Sequence, residues 1–206
     1  MVLASASPRR RELIELLGLP WRSAPHHVAE EQHRLVEPLL AAQNVALAKA
    51  RAVDDAAADE VILAADTLVI ADGTMLGKPV TAEEARAMLL QLRGRPHTVI
   101  TGVVLRGDVD LEWGAAIGTR VRMRAYTTAE IEQYIARREP FDKAGGYAVQ
   151  DRLFRPVERL EGCYLNVVGL PLCLVARGLE LFGAQLSGPS ACVPPCAYCR
   201  VYGFSP

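Results

Sequence analysis

An α/β fold is what this sequence of 206 residues predicts, and three observations predict it. The run Val61-Ile62-Leu63-Ala64-Ala65-Asp66-Thr67-Leu68-Val69-Ile70 is apolar and rich in β-branched residues, so it reads as a buried strand with one carboxylate in its middle. Val2 to Ala4 reads as a first strand that leads straight into a strong helix start at Ser7-Pro8. Strand-like and helix-like stretches then alternate to about Phe182. An ionised side chain inside an apolar strand costs several kcal/mol unless a cation, a metal or hydrogen bonds compensate, so Asp66 has chemistry to do, a partner, or a loop to cap.

Half the residues are apolar, which is enough for one sizeable core or two small lobes. The formal charge of -1 leaves no general field for nucleic acid or an acidic membrane. Any polyanion must then be held by a few placed cations, which suits small phosphorylated ligands better than duplexes, and no nucleic-acid partner is expected. The N-terminus has no basic segment followed by a long apolar run, and no stretch approaches a membrane span; a cytoplasmic protein with no membrane partner is expected. Cys163 and Cys173 are scattered and Cys192, Cys196 and Cys199 crowd the tail, unlike a secreted disulfide framework.

In the first helix Ser7 is the N-cap, Pro8 the first helical residue, and Leu13, Ile14, Leu16 and Leu17 form an apolar face that ends at Gly18. Arg9, Arg10 and Arg11 stand in its first turn, where cations oppose the helix dipole; an anion bound there explains them, and so does a solvated basic turn. Pro20 to Pro38 is irregular, and the spacing of His26, His27 and His33 fits no metal motif. Leu39 to Ala58 is alanine-rich and helical, with Lys49 as a solvent-facing lysine unless a companion motif promotes it.

Asp72-Gly73 signals a tight hairpin, and Lys78 follows it in Gly77-Lys78-Pro79. Thr81 opens a capping box with Glu84 for a helix ending near Arg93-Gly94. His97 to Leu105 is strand-like but broken at Thr101-Gly102, and Thr119 to Ala125 alternates Arg120, Arg122 and Arg124 with Val121, Met123 and Ala125, a half-exposed strand. Thr128 caps a helix to about Arg138. The adjacent glycines of Asp142-Lys143-Ala144-Gly145-Gly146-Tyr147-Ala148-Val149-Gln150 allow a ligand or another strand to approach closely. A last helix runs to about Phe182. The composition changes beyond Gly183, which divides the chain into a domain at 1–183 and a Cys- and Pro-rich tail at 184–206.

Ser5-Ala6-Ser7-Pro8-Arg9-Arg10, Ala65-Asp66-Thr67, Gly77-Lys78-Pro79, Thr101-Gly102-Val103, Asp142-Lys143-Ala144-Gly145 and Asn166-Val167-Val168-Gly169-Leu170-Pro171 resemble, in that order, the signature of Maf proteins. The resemblance implies a fold related to the inosine triphosphate pyrophosphatases: an elongated mixed sheet flanked by helices, with two lobes around a central cleft. It also implies a divalent-metal-dependent (Mg2+ or Mn2+) pyrophosphatase that converts a nucleoside triphosphate to the monophosphate and pyrophosphate. Asp66 is similar to the family's proton acceptor; taking a proton from water and holding the ion that acidifies that water both remain open. Glu30 is similar to an acidic metal partner, although Ala29 precedes it where an Asp is common. Ser7, Arg10, Lys49 and Lys78 resemble the phosphate contacts. Arg9, Thr67 and Gln150 match the family branch associated with dTTP and UTP, in place of the Trp, Gln and Glu of the branch associated with 7-methyl-GTP. A nucleotide-sensing regulator of cell division without turnover is the alternative from another class. The family's usual Gln-Gly is Gln150-Asp151 here, Tyr-Gly-Ile is Tyr147-Ala148-Val149, and Met123 replaces a Phe. The resemblance leans to a homodimer.

Cys192-Val193-Pro194-Pro195-Cys196-Ala197-Tyr198-Cys199 resembles the cluster loop of radical S-adenosylmethionine enzymes. Those enzymes need a barrel after it, and the sequence at hand stops at Pro206, so a flexible tail is expected.

Overall fold

Along the chain run β1 (Val2–Leu3), α1 (Pro8–Glu15), β2 (Arg22–Ser23), α2 (Pro38–Arg51), β3 (Ile62–Ala71), β4 (Thr74–Leu76), α3 (Ala82–Leu92), β5 (Pro96–Arg106), β6 (Glu112–Met123), α4 (Thr128–Ala136), β7 (Val157–Glu161), α5 (Tyr164–Val168) and α6 (Leu172–Leu181). Tight 3-10 turns lie at Glu30–His33, Pro140–Asp142 and Ala144–Gly146. The computed structural model describes residues 1–33, 36–108, 111–184 and 186. The strands form one seven-stranded sheet in the order β2-β1-β3-β5-β6-β7, with β4 paired to β3. Parallel pairs β1/β2 and β1/β3 and antiparallel pairs β3/β4 and β6/β7 make it a mixed sheet, as expected of the α/β class. The tail with Cys192, Cys196 and Cys199 lies outside the described residues.

The chain divides into two units: Met1–Thr67, Ile100–Gly118 and the segment from Cys163 onward; and Leu68–Val99 with Thr119–Gly162. The boundary falls inside β3, directly after Thr67.

In the first unit, Val2, Ala4, Ala46, Ala50, Val53, Ile62, Ala64 and Val104 pack into one core. The small residues of α2 let its backbone lie against the sheet. Gly102 shows how tightly: a Cβ there would stand 2.4 Å from the carbonyl carbon of Ala42 and 2.6 Å from the Gln43 nitrogen. That glycine does not break β5, contrary to expectation; it gives α2 room to cross a continuous strand. Helix α2 ends at Arg51 and not at Ala58. Val53 turns into the core, and Asp55 and Glu60 bind Arg22, with hydrogen bonds of 2.8–3.2 Å.

In the second unit the hairpin is as read: Ala71 pairs with Thr74 across Asp72-Gly73, whose φ values of 49° and 75° suit the two-residue turn that a right-handed strand twist favours. Thr81 caps α3 by accepting from the Glu84 N–H, while Glu84 takes the N–H of Val80 and not that of Thr81. Helix α4 starts one residue before the expected place. Thr127, not Thr128, is its cap, because only Thr127 has a glutamate three residues on, and Glu130 closes the box on the Thr127 N–H at 2.7 Å. Arg120 and Arg122 face out while Val121 and Met123 are buried, the expected alternation, and buried Met123 accommodates the departure from Phe. Gly145, at φ 70°, lies where a Cβ would meet Val69 at 3.0 Å, so its close approach is to a strand.

Candidate active site

Asp66 stands in the middle of β3 with only 4% of its surface exposed. Its partner is Lys49, whose Nζ donates to Asp66 Oδ1 at 2.7 Å. Lys49 lies two helical turns beyond Ala42 on α2, hence on the face that Gly102 admits to the sheet. A lysine that periodicity alone leaves in solvent is thus drawn inward by a buried acid. The same Nζ lies 2.8 Å from Glu30 Oε1, so one ammonium joins two carboxylates from the 3-10 turn and from β3.

The loop between β1 and α1 runs beside this point because β1 and β3 are parallel, with Leu3 opposite Leu63 and the Ala4 N–H donating to the Leu63 carbonyl at 2.8 Å. Arg10, in the first turn of α1, donates from Nε to the Gly169 carbonyl at 2.8 Å, from Nη2 to Thr67 Oγ1 at 3.1 Å and from Nη1 to Ser5 Oγ at 3.4 Å. Burial lowers the guanidinium pKa, Asp66 raises it, Arg9 lowers it and Glu30 raises it, with a net direction downward. A guanidinium has five N–H donors, so three are occupied and two remain for a ligand.

Hydrogen-bond directions around Thr67 follow by elimination. Buried Thr101 donates its only hydroxyl proton to the Asn166 carbonyl at 2.9 Å. The 2.9 Å contact between the two threonine hydroxyls is therefore donated by Thr67. Thr67 accepts from Arg10, giving a directed chain from Arg10 to Thr67 to Thr101 to the Asn166 carbonyl. Thr67 orients the arginine.

Glu30, Asp66, Lys49, Arg9, Arg10, Ser7 and Thr67 therefore all belong to the first unit. Ser7 occupies the N-cap position of α1, but its hydroxyl makes no cap bond; its N–H donates to Ser5 Oγ at 3.2 Å. Lys78 and Gln150 belong to the second unit. There Lys78 lines a cavity of about 520 Å³ with Pro79, Val80, Ala82, Arg138 and Phe141. Gln150 lies half-buried in the turn after Tyr147. Ser5, Thr101, Asn166 and Gly169 carry contacts that no role had been given, although each stands in a motif of the resemblance; their part depends on chain-distant partners that local pattern cannot show.

Among the described residues no helix is long and apolar enough to cross a membrane, and no cluster of three or more His, Cys, Asp or Glu side chains is placed to hold an ion. The converging donor set is two carboxylates, Glu30 and Asp66. That set suits Mg2+, which keeps several waters and takes one or two carboxylates together with substrate phosphates.

A family model described as Maf-like protein matches residues 1–182. A dTTP/UTP pyrophosphatase of Thermomicrobium roseum is 48% identical over 97% of this chain and 92% of its own length. Another dTTP/UTP pyrophosphatase, from Moorella thermoacetica, is 46% identical over 91% of this chain and 97% of its own. A solved nucleoside-triphosphatase / dITP/XTP pyrophosphatase from Mycobacterium abscessus is similar over 61% of this chain and 74% of that one, at 17% identity and a TM-score of 0.39.

Proposed function

Since this chain belongs to the family of Maf-like proteins, we propose that it hydrolyses dTTP and UTP to the monophosphate and pyrophosphate. The observation that carries this reading is the buried Asp66 carboxylate held by Lys49, with Glu30 on the same ammonium and an Arg10 that keeps two N–H groups for a ligand.

Hydrolysis between the α- and β-phosphates requires a water oxygen to bond to the α-phosphorus as the bond to the β-bridging oxygen breaks. The water proton passes to Asp66, whose carboxylate is kept in one place by the Lys49 ammonium at 2.7 Å. Arg10, fixed by Gly169, Thr67 and Ser5, offers its remaining N–H groups to phosphate oxygens, joined by Arg9, Ser7 and the ammonium of Lys49. For Lys78 and Gln150, which belong to the second unit, the family resemblance implies a cation for pyrophosphate and an amide that meets a pyrimidine edge with a donor and an acceptor. Glu30 and Asp66 would hold the divalent ion, which supplies charge neutralisation at the phosphates and a more acidic water. The setting is the cytoplasm, and the form a homodimer without nucleic acid; cell fractionation and sedimentation check these.

The test is release of pyrophosphate from dTTP, UTP, CTP and 7-methyl-GTP with Mg2+ or Mn2+. Turnover of dTTP and UTP above the others is expected, with Asp66→Asn losing at least about two orders of magnitude in kcat while nucleotide binding persists. Inactivity on all four would favour a nucleotide sensor, and preference for 7-methyl-GTP would move the chain to the other substrate branch.

A further inference from the structure

Gln150 is flanked by two residues, Ala148 and Asp151, that are both tied to the C-terminal end of α4. Tyr134 and Arg137 are three residues apart and so share a face there. The Ala148 N–H donates to Tyr134 Oη at 3.1 Å. Arg137 donates from Nη1 to Asp151 Oδ2 and from Nη2 to Asp151 Oδ1, both at 3.1 Å, a two-pronged pair. Asp151 Oδ1 also accepts the N–H of Leu153 at 3.0 Å and that of Phe154 at 2.6 Å. The Phe154 ring stacks on Tyr134 at 4.4 Å, and the Arg137 guanidinium lies over the same ring at 5.3 Å. Burial pushes the Asp151 carboxyl up, yet Arg137 and the Phe154 N–H outweigh it and hold it below its ordinary value.

Four donors thus meet a carboxylate whose side chain is 7% exposed, three of them on Oδ1, so Asp151 is committed to Arg137 and to its own loop. The amide of Gln150, between the two tethered residues, has no hydrogen-bond partner among the described residues and keeps its donors and acceptor for a ligand. We infer that Asp151 and Arg137 are positioning residues for Gln150: their ion pair sets where that amide stands, and selectivity at the pyrimidine edge depends on it. The inference rests on the proposal that Gln150 meets the base, and it gives the departure from Gln-Gly a purpose in this chain.

The experiment compares UTP with CTP, which differ only at that edge, in the wild type and in Asp151→Asn, Arg137→Met, the double variant and Gln150→Leu. Asp151→Asn keeps an oxygen for Leu153 and Phe154 but loses the charge that holds Arg137. Each single change at the pair is expected to lower the ratio of kcat/KM for UTP over CTP about tenfold, chiefly by raising KM for UTP, since a small displacement of a positioned group has effects of that order. The double variant is expected to lose no more than either single one, because both act through one contact. A role confined to folding would lower kcat for both nucleotides equally and leave the ratio unchanged. An unchanged ratio in Asp151→Asn and Arg137→Met, while Gln150→Leu shifts it, overturns the inference; an unchanged ratio in Gln150→Leu overturns the base-reading proposal beneath it.

Discussion

Replacing Lys49 by Met removes the ammonium that Asp66 and Glu30 share. The two carboxylates are not equally affected. Asp66 has a side chain 6% exposed and Glu30 one 37% exposed, so the water that reaches Glu30 screens its charge, and its share is well under about 1 kcal/mol. Taking one partner from a buried ion pair costs about 3–5 kcal/mol, because the desolvated charge loses its compensation. The low end applies here, since a water-accessible Glu30 borders the pair, and Lys49→Met is expected to cost about 3 kcal/mol. For a chain of this length that is a fall in Tm of roughly 6–12 °C. Asp66→Asn in the Lys49→Met background removes the stranded charge, so the double variant is expected to be more stable than the sum of the singles by about 2 kcal/mol. Denaturant unfolding of all four proteins at pH 7.5 measures the coupling. Additive losses, or a Lys49→Met variant within about 0.5 kcal/mol of the wild type, would show that the pair is not the contact that holds Asp66.

Gly102→Ala puts a methyl against three backbone atoms of α2 at 2.4–2.6 Å, none of which can rotate away; a cost of about 3 kcal/mol and a displaced Lys49 are expected, read as a lower Tm together with lower turnover, and a wild-type Tm would contradict the packing. His97 is buried, its Nε2 2.6 Å from Tyr147 Oη and its Nδ1 without a partner among the described residues, and burial lowers its pKa to about 4. The folded state then resists a proton that the unfolded state accepts from about pH 6.5 downward, so stability falls as pH drops from about 6.5 to about 4, by about 3 kcal/mol at 1.36 kcal/mol per pKa unit. Unfolding free energies across that window check this, and His97→Phe flattens the slope.

Backbone chemistry acting over a few residues was legible. The Asp72-Gly73 hairpin, the capping box at Thr81 and Glu84, a helix start near Thr128 and the alternation from Arg120 to Met123 depend on neighbours in the chain, and the structure differs from them only in detail: Glu84 bonds the Val80 N–H, and Thr127 takes the cap from Thr128 because Glu130 stands three residues after it. The identity of the Asp66 strand followed from composition alone. The resemblance supplied the names of the residues around it but not their contacts.

Packing decided the rest. The tail of a lysine on α2 has no local reason to leave water, and it does so only because Gly102 lets the helix cross β5 closely and brings Lys49 to an acid 17 residues away. The place of Arg10 was settled by a carbonyl 159 residues on, and the proton directions at Thr67 by its contact with Thr101. Asp151, by sequence a charge beside the expected base reader, is engaged by Arg137 and two backbone N–H groups. In each case the energy comes from desolvation and from pairings across the fold, and neither has a period or a spacing that a linear sequence can display.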